Sequence, residues 1–84
     1  MTTLHIINRP IDRLGIDLLP LTNGTDGLLL IEDGVYCVPQ TTLPVFGLFA
    51  DMSARGMKPG GTVKLVDYAG FVGLCEQYNK VVTW

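Results

Sequence analysis

The chain of 84 residues has one serine, one histidine, two cysteines and few charges, with 17% of its residues Asp, Glu, Lys or Arg. Each shortage excludes a kind of chemistry. Ser53 stands outside any Gly-x-Ser-x-Gly elbow, so no serine nucleophile is signalled. His5, with two isolated cysteines, supplies no zinc spacing, and no metal is expected. Cys37 and Cys75 are too few to staple a secreted fold and form no CxxC pair. Six scattered basic residues against eight acidic ones give a net charge of −2. That leaves no clustered positive face for direct nucleic-acid binding. Neither GxGxxG nor GxxxxGK(S/T) occurs, and Gly60-Gly61 precedes a strand, the wrong place for a phosphate loop, so no nucleotide cofactor is expected. The longest apolar run, Leu28-Leu29-Leu30-Ile31, falls far short of the ~20 residues that span a bilayer. Met1-Thr2-Thr3-Leu4-His5 has no basic n-region before a long apolar stretch, so no signal peptide is expected. A soluble protein of the reducing cytoplasm is the expectation.

Hydrophobic residues make up 48% of the chain, too many for a disordered segment. The length predicts a single domain over residues 1–84. So apolar and lightly charged a small domain is expected to bury part of its surface against a partner, or to self-associate without one.

Leu4-His5-Ile6-Ile7 is short, rich in β-branched residues and closed by Asn8-Arg9-Pro10, so it predicts a strand. Ile11, Leu14, Leu18 and Leu21 recur at helical spacing, with Pro20 ending or kinking the helix. The segment 22–27 (Thr-Asn-Gly-Thr-Asp-Gly) predicts a turn. Leu28 to Ile31 is continuous rather than alternating, which predicts a central strand covered on both faces. Val35-Tyr36-Cys37-Val38 is either a helical turn or an extended piece. Val45 to Phe49 predicts a third strand, followed by a short helix over 50–55 and Gly56 as its C-cap. Thr62 to Val66 predicts a fourth strand. Asp67 is placed to cap a helix whose apolar face comprises Tyr68, Phe71, Val72 and Cys75. Val81 to Trp84 predicts a short last strand. Alternating strands and helices define the class as α/β: a small, mainly parallel sheet of four or five strands with helices on both faces, flavodoxin-like or Rossmann-like.

In an open parallel sheet, functional loops gather at the carboxyl ends of the strands. Arg9, Asp33, Asp51 and Asp67 lie there and are expected to share one rim. Arg9, Asp33 and Asp67 are the candidates for a small-ligand site. The plain alternative is that Asp51 and Asp67 cap helices and Asp33-Gly34 makes a turn. Cys37 is the candidate reactive thiol, although no Lys, Arg or His lies near it in sequence to favour a thiolate. Cys75 is expected to be a core thiol. His5, inside the first strand, is expected to serve the core or the sheet surface.

The segment 28–36 (Leu-Leu-Leu-Ile-Glu-Asp-Gly-Val-Tyr) resembles the second strand of the DsrH/TusB family of sulfur-relay proteins. Leu4-His5-Ile6-Ile7-Asn8-Arg9 resembles its opening strand, Ala54-Arg55-Gly56 its Ala-Arg-Gly after the third strand, and 66–74 its Asp-Tyr-x-x-Phe-Val-x-Leu helix. Trp84 matches its terminal Trp. The resemblance runs in order from Leu4 to Trp84. It implies a DsrEFH-type fold and a cytoplasmic subunit of a complex that passes persulfide sulfur between carriers. The partners implied are two sister DsrE-family subunits, usually in a dimer of heterotrimers, and a persulfide donor or acceptor protein. The sulfur goes either toward 2-thiolation of a tRNA wobble uridine or into sulfur oxidation. The family's main sulfur-accepting cysteine belongs to a sister subunit, just after its third strand. Here that stretch, 48–53, has no cysteine. The first-helix cysteine of some members corresponds to about Leu18, so that thiol is missing too. The stretch between Tyr36 and Pro44 is shorter than in many members. The expectation is therefore a non-catalytic subunit with Tyr36, Tyr68, Phe71 and Trp84 as interface candidates, since aromatic residues are enriched at interface hot spots. The alternatives are a self-associating, small-ligand-binding domain and a sulfurtransferase using Cys37.

Overall fold

The computed structural model describes residues 2–13, 22–58 and 60–84. Five strands form: β1 (Thr3–Ile7), β2 (Gly27–Leu30), β3 (Val45–Leu48), β4 (Val63–Val66) and β5 (Lys80–Thr83). Between them, among the described residues, lie α1 (Phe49–Ala54), α2 (Tyr68–Gln77) and two 3-10 turns, Ile11–Arg13 and Glu32–Tyr36. The sheet order is β4-β3-β2-β1-β5, and every neighbouring pair is parallel.

β2 is central, and all four of its residues are buried. That is why its sequence runs apolar without alternation: successive side chains alternate between two apolar cores. The register sets His5, Leu28, Val45 and Val63 in one row and Ile6, Leu29, Phe46 and Lys64 in the next, on the opposite face. On the first face Ile7, Leu28, Leu30, Val45 and Val63 pack with Val35 of the second 3-10 turn and Met52 of α1. On the other, Leu4, Ile6 and Leu29 pack under Leu74 of α2. Helices thus cover both faces, as the α/β pattern predicts.

Two glycines set the fit on the first face. A Cβ on Gly34 would collide with the carbonyl oxygen of Ile7, so only glycine lets the 3-10 turn lie against the end of β1. A Cβ on Gly47 would stand 2.6 Å from Sδ of Met52, so the bare backbone of β3 seats α1.

Several local expectations shift. β3 ends at Leu48, and Phe49 opens α1 rather than closing the strand. The stretch 35–38 divides: Val35 and Tyr36 complete the 3-10 turn, and Cys37 is extended at φ −132°, ψ 109°. The turn over 22–27 is present, with Asp26 N–H donating to Asn23 O at 3.0 Å. Gly56 follows α1 at φ +64°, the left-handed conformation a helix-ending glycine adopts. Of the helix expected from Ile11 onward, the turn Ile11–Arg13 is described. Leu14, Leu18 and Leu21 lie outside the described residues.

The stripe of α2 needs correction. Tyr68 and Val72 are 63% and 58% exposed. The residues that meet the sheet are Phe71, Leu74, Cys75 and Tyr78. The i, i+3, i+4, i+7 rule holds, but it begins at Phe71. Tyr68 and Val72 fit the same spacing but stay exposed, so the apolar pattern alone did not fix the phase.

Candidate functional site

The carboxyl ends of β2 and β3 carry a polar network that the sequence brought only partly into view. Arg55, just after α1, donates from Nε to Asp33 Oδ1 at 3.0 Å, and its Nη1 lies 3.5 Å from Asp51 Oδ1. Asp51 Oδ2 accepts the N–H of Glu32 at 2.8 Å. Asp51 therefore does not cap its own helix, whose N-cap is Leu48 without a side-chain bond. It caps the 3-10 turn across the gap between two strands, because Glu32 N–H is that turn's first free donor. Glu32 sits at φ +48°, in the left-handed region, and turns the chain out of β2 into the turn. The hydrogen bond it donates to Asp33, reinforced by the charges of Asp33 and Asp51, holds the Arg55 guanidinium more firmly protonated than usual, against some loss of hydration.

The other rim candidates lie apart from that network. Asp67 caps α2, accepting from Gly70 N–H at 2.7 Å. Arg9 is exposed and forms no ion pair with the described residues. Beside Asp67, an open groove of about 410 Å³ is lined by Phe49, Leu65, Val66 and Gly70. Phe49 is 54% exposed and Leu65 40% exposed, so this end of the β4 edge presents apolar surface.

The four aromatic candidates divide into two pairs. Tyr36 and Tyr68 are exposed. Phe71 packs against the core under α2, and Trp84 packs against the core on the opposite face. Cys37 is half-buried at the end of the 3-10 turn, and Cys75 is half-buried against the α2 core. Among the described residues, no group of three or more His, Cys, Asp and Glu could hold a metal ion, and no helix is long and apolar enough to cross a membrane.

A second polar cluster escaped the sequence entirely. Asp26 is buried where the turn enters β2. Its Oδ1 accepts Thr3 N–H at 3.0 Å, and its Oδ2 accepts Asn23 N–H at 3.0 Å and faces His5 Nε2 at 2.9 Å. The other ring nitrogen, Nδ1, accepts the indole N–H of Trp84 at 3.0 Å. Burial pushes the Asp26 carboxyl up, but the bonds from Asn23, His5 and Thr3 outweigh it and hold the group below its ordinary range. Tyr78, near Asp26, has its phenol pushed up by burial first and by the Asp26 charge second.

These features define a small parallel α/β domain whose polar side chains largely organise its own turns and strand ends. The chain belongs to the DsrH family: residues 13–81 match that family's model, described as DsrH like protein. The family is one of sulfur-relay proteins. No curated protein matches the chain. The segments that carry the resemblance have physical tasks in this fold. Gly34 of the Glu-Asp-Gly stretch meets Ile7, Arg55 and Gly56 of Ala-Arg-Gly make the ion pairs and the helix end, and Asp67 caps α2. His5 and Trp84, from opposite ends of the chain, meet each other.

Proposed function

We propose that this chain is a non-catalytic subunit of a cytoplasmic sulfur-relay complex, built with two sister subunits of the same fold type. It completes the assembly and shapes the surface on which a persulfide donor or acceptor docks. The observation that carries this reading lies after β3. The stretch where the family's carrier subunit holds its cysteine here begins α1 as Phe49-Ala50-Asp51, and Asp51 is committed to Glu32 N–H and Arg55. A carrier must present an accessible thiolate, and this stretch offers a structural carboxylate instead. The exposed side chains of Tyr36 and Tyr68 support a docking role for the surface around them. Of the two outlets, 2-thiolation of a tRNA wobble uridine is the reading preferred over sulfur oxidation, with the nucleic acid handled by other proteins.

The test is transfer of radiolabelled sulfur from a cysteine desulfurase through the complex reconstituted with its sister subunits. Label is expected on a partner subunit alone, and Cys37→Ser is expected to leave sulfur flow unchanged. Label on Cys37, with transfer lost in Cys37→Ser, makes the chain a sulfurtransferase. Failure of the chain to associate with any sister subunit defeats the relay reading.

A further inference from the structure

The Asp26–His5–Trp84 chain has a property that none of its members has alone. An indole nitrogen can only donate a hydrogen bond. Its 3.0 Å contact with His5 Nδ1 therefore requires a lone pair on that nitrogen. The single proton of the neutral ring must then sit on Nε2, where it is donated to Asp26 Oδ2. The two rings are nearly parallel, with 24° between their planes and centroids 6.1 Å apart. Both ring nitrogens are thus used, and no buried side-chain N or O among the described residues lacks a partner.

A second proton on His5 can go only to Nδ1. There it would point at the indole N–H, donor against donor at 3.0 Å. The Asp26 side of the ring responds in the opposite sense. The imidazolium would face a carboxylate already held in its charged form by two backbone N–H groups. Protonation therefore exchanges one bond for another: the Asp26 contact gains charge and the Trp84 contact is broken.

Among the described residues, the surroundings leave this exchange to His5 and Asp26. On the same face of the sheet, β2 offers Leu28 and Leu30, β5 offers Val82 opposite His5, and the second 3-10 turn offers Val35, all apolar. Lys80 shares that face of β5 but is exposed and pairs in register with Thr3. Arg9, Asp12 and Arg13, beyond the end of β1, are exposed. Tyr78, coupled to Asp26, has its phenol held neutral by burial and by that carboxylate.

We propose that His5 is a proton-operated latch for Trp84: the neutral ring holds the indole against the sheet, and the protonated ring releases it. Release would unseat an indole that packs on the core of the first face. The backbone bond from Trp84 N–H to Ile6 O, 2.8 Å, and the β1–β5 ladder do not involve the ring, so the strand stays paired while its terminal side chain comes free. The latch needs no partner protein and stands apart from the sulfur-relay reading.

The experiment is a pH titration of the uniformly ¹⁵N-labelled chain by NMR, following the His5 ring nitrogens and the Trp84 indole proton. At about pH 8 the ring is expected in the Nε2–H tautomer. As His5 takes up its second proton, the solvent-exchange protection factor of the indole proton is expected to fall roughly fivefold, the effect of losing one hydrogen bond. The amide of Leu29, in β2, should keep its protection through the same range. Trp84→Phe removes the opposing donor and keeps an aromatic ring, so the ring at position 84 should stay seated over the same pH range. An Nδ1–H tautomer overturns the latch. So does indole protection that stays constant while His5 gains its proton, a His5 that gains no proton before the whole fold is lost, or a Trp84→Phe chain whose ring leaves the core over the same pH range.

Discussion

The molecule carries two polar clusters of similar make-up and opposite setting. Asp26 and His5 are buried, with side chains 2% and 6% exposed. Asp33 and Arg55 lie at the rim, with side chains 62% and 24% exposed. Distances barely separate them: the shortest contact is 2.9 Å in the first and 2.8 Å in the second. Burial separates them. Water competes for Asp33 and Arg55 and takes over when either is removed, so exposed pairs add little. No water waits for the Asp26 carboxylate, whose three polar contacts must all be supplied by the protein. The inner cluster ties together the turn over 22–27, β1 and the residue after β5, whereas the outer one joins the second 3-10 turn to α1. Equal geometry therefore predicts unequal energetics, and substitutions can measure the gap.

Asp26→Ala is expected to have the largest effect. It strands the N–H groups of Thr3 and Asn23 and the Nε2–H of His5. A stranded buried donor costs about 1–3 kcal/mol, and with some relaxation the sum should be about 3–4 kcal/mol of folding stability. Urea unfolding should show a lower midpoint with an unchanged slope, and a loss under about 1 kcal/mol would contradict the burial argument. Acid tests the same group. Its carboxyl is held below the ordinary range in the folded chain, so its contribution is fully present above the unfolded value of about 3.9 and is lost as pH falls through the folded one. Stability of the parent chain should therefore drop below about pH 4, and Asp26→Asn should flatten that part of the profile.

What the sequence revealed follows the same division. β2 was legible because a run of leucines between turns has few other solutions. The Asp67 cap was legible because a cap acts on residues three positions away. The inner cluster was not legible. Its members are separated by 21 and 79 positions, and His5 looks like any residue of an apolar strand. Arg55 was visible only as the middle of Ala-Arg-Gly, because its partner Asp33 is 22 positions away. The α2 stripe was misplaced by one helical step because Tyr68 and Val72 are apolar and exposed, and periodicity does not distinguish a face turned to the core from one turned to solvent or a partner.

Gly34→Ala should come second. The added methyl would meet the Ile7 carbonyl, a backbone atom that cannot move without disturbing β1, and the 3-10 turn must lift from the strand end. A loss of about 2 kcal/mol is expected, measured by thermal or urea unfolding. This substitution sharpens the comparison because it spares every polar group in both clusters. If it also detaches the rim, the Arg55–Asp33 pair depends on the backbone seat of Gly34 rather than the reverse.

Arg55→Ala should shift the unfolding midpoint far less than Asp26→Ala. Whatever shift it gives should shrink as salt is raised to about 1 M, where screening reaches within ~3 Å. A salt-independent loss as large as that of Asp26→Ala would erase the distinction between the two clusters.

The smallest effect should have the opposite sign. Glu32 holds φ +48° at the exit of β2, a conformation that costs an L-residue about 1–2 kcal/mol. The side chain is exposed, and the bond that fixes the position comes from its backbone N–H to Asp51. Glycine keeps that N–H and removes the steric cost, while its looser unfolded chain takes back about 0.4–1 kcal/mol. Glu32→Gly should therefore stabilise the chain by about 0.5 kcal/mol. Glu32→Asn should fall between the two, since asparagine tolerates the left-handed region better than glutamate. A gain in this order places strain at the rim, where the inner cluster has none to relieve. Destabilisation by glycine would mean that the Glu32 side chain supports the rim through contacts other than its backbone bond.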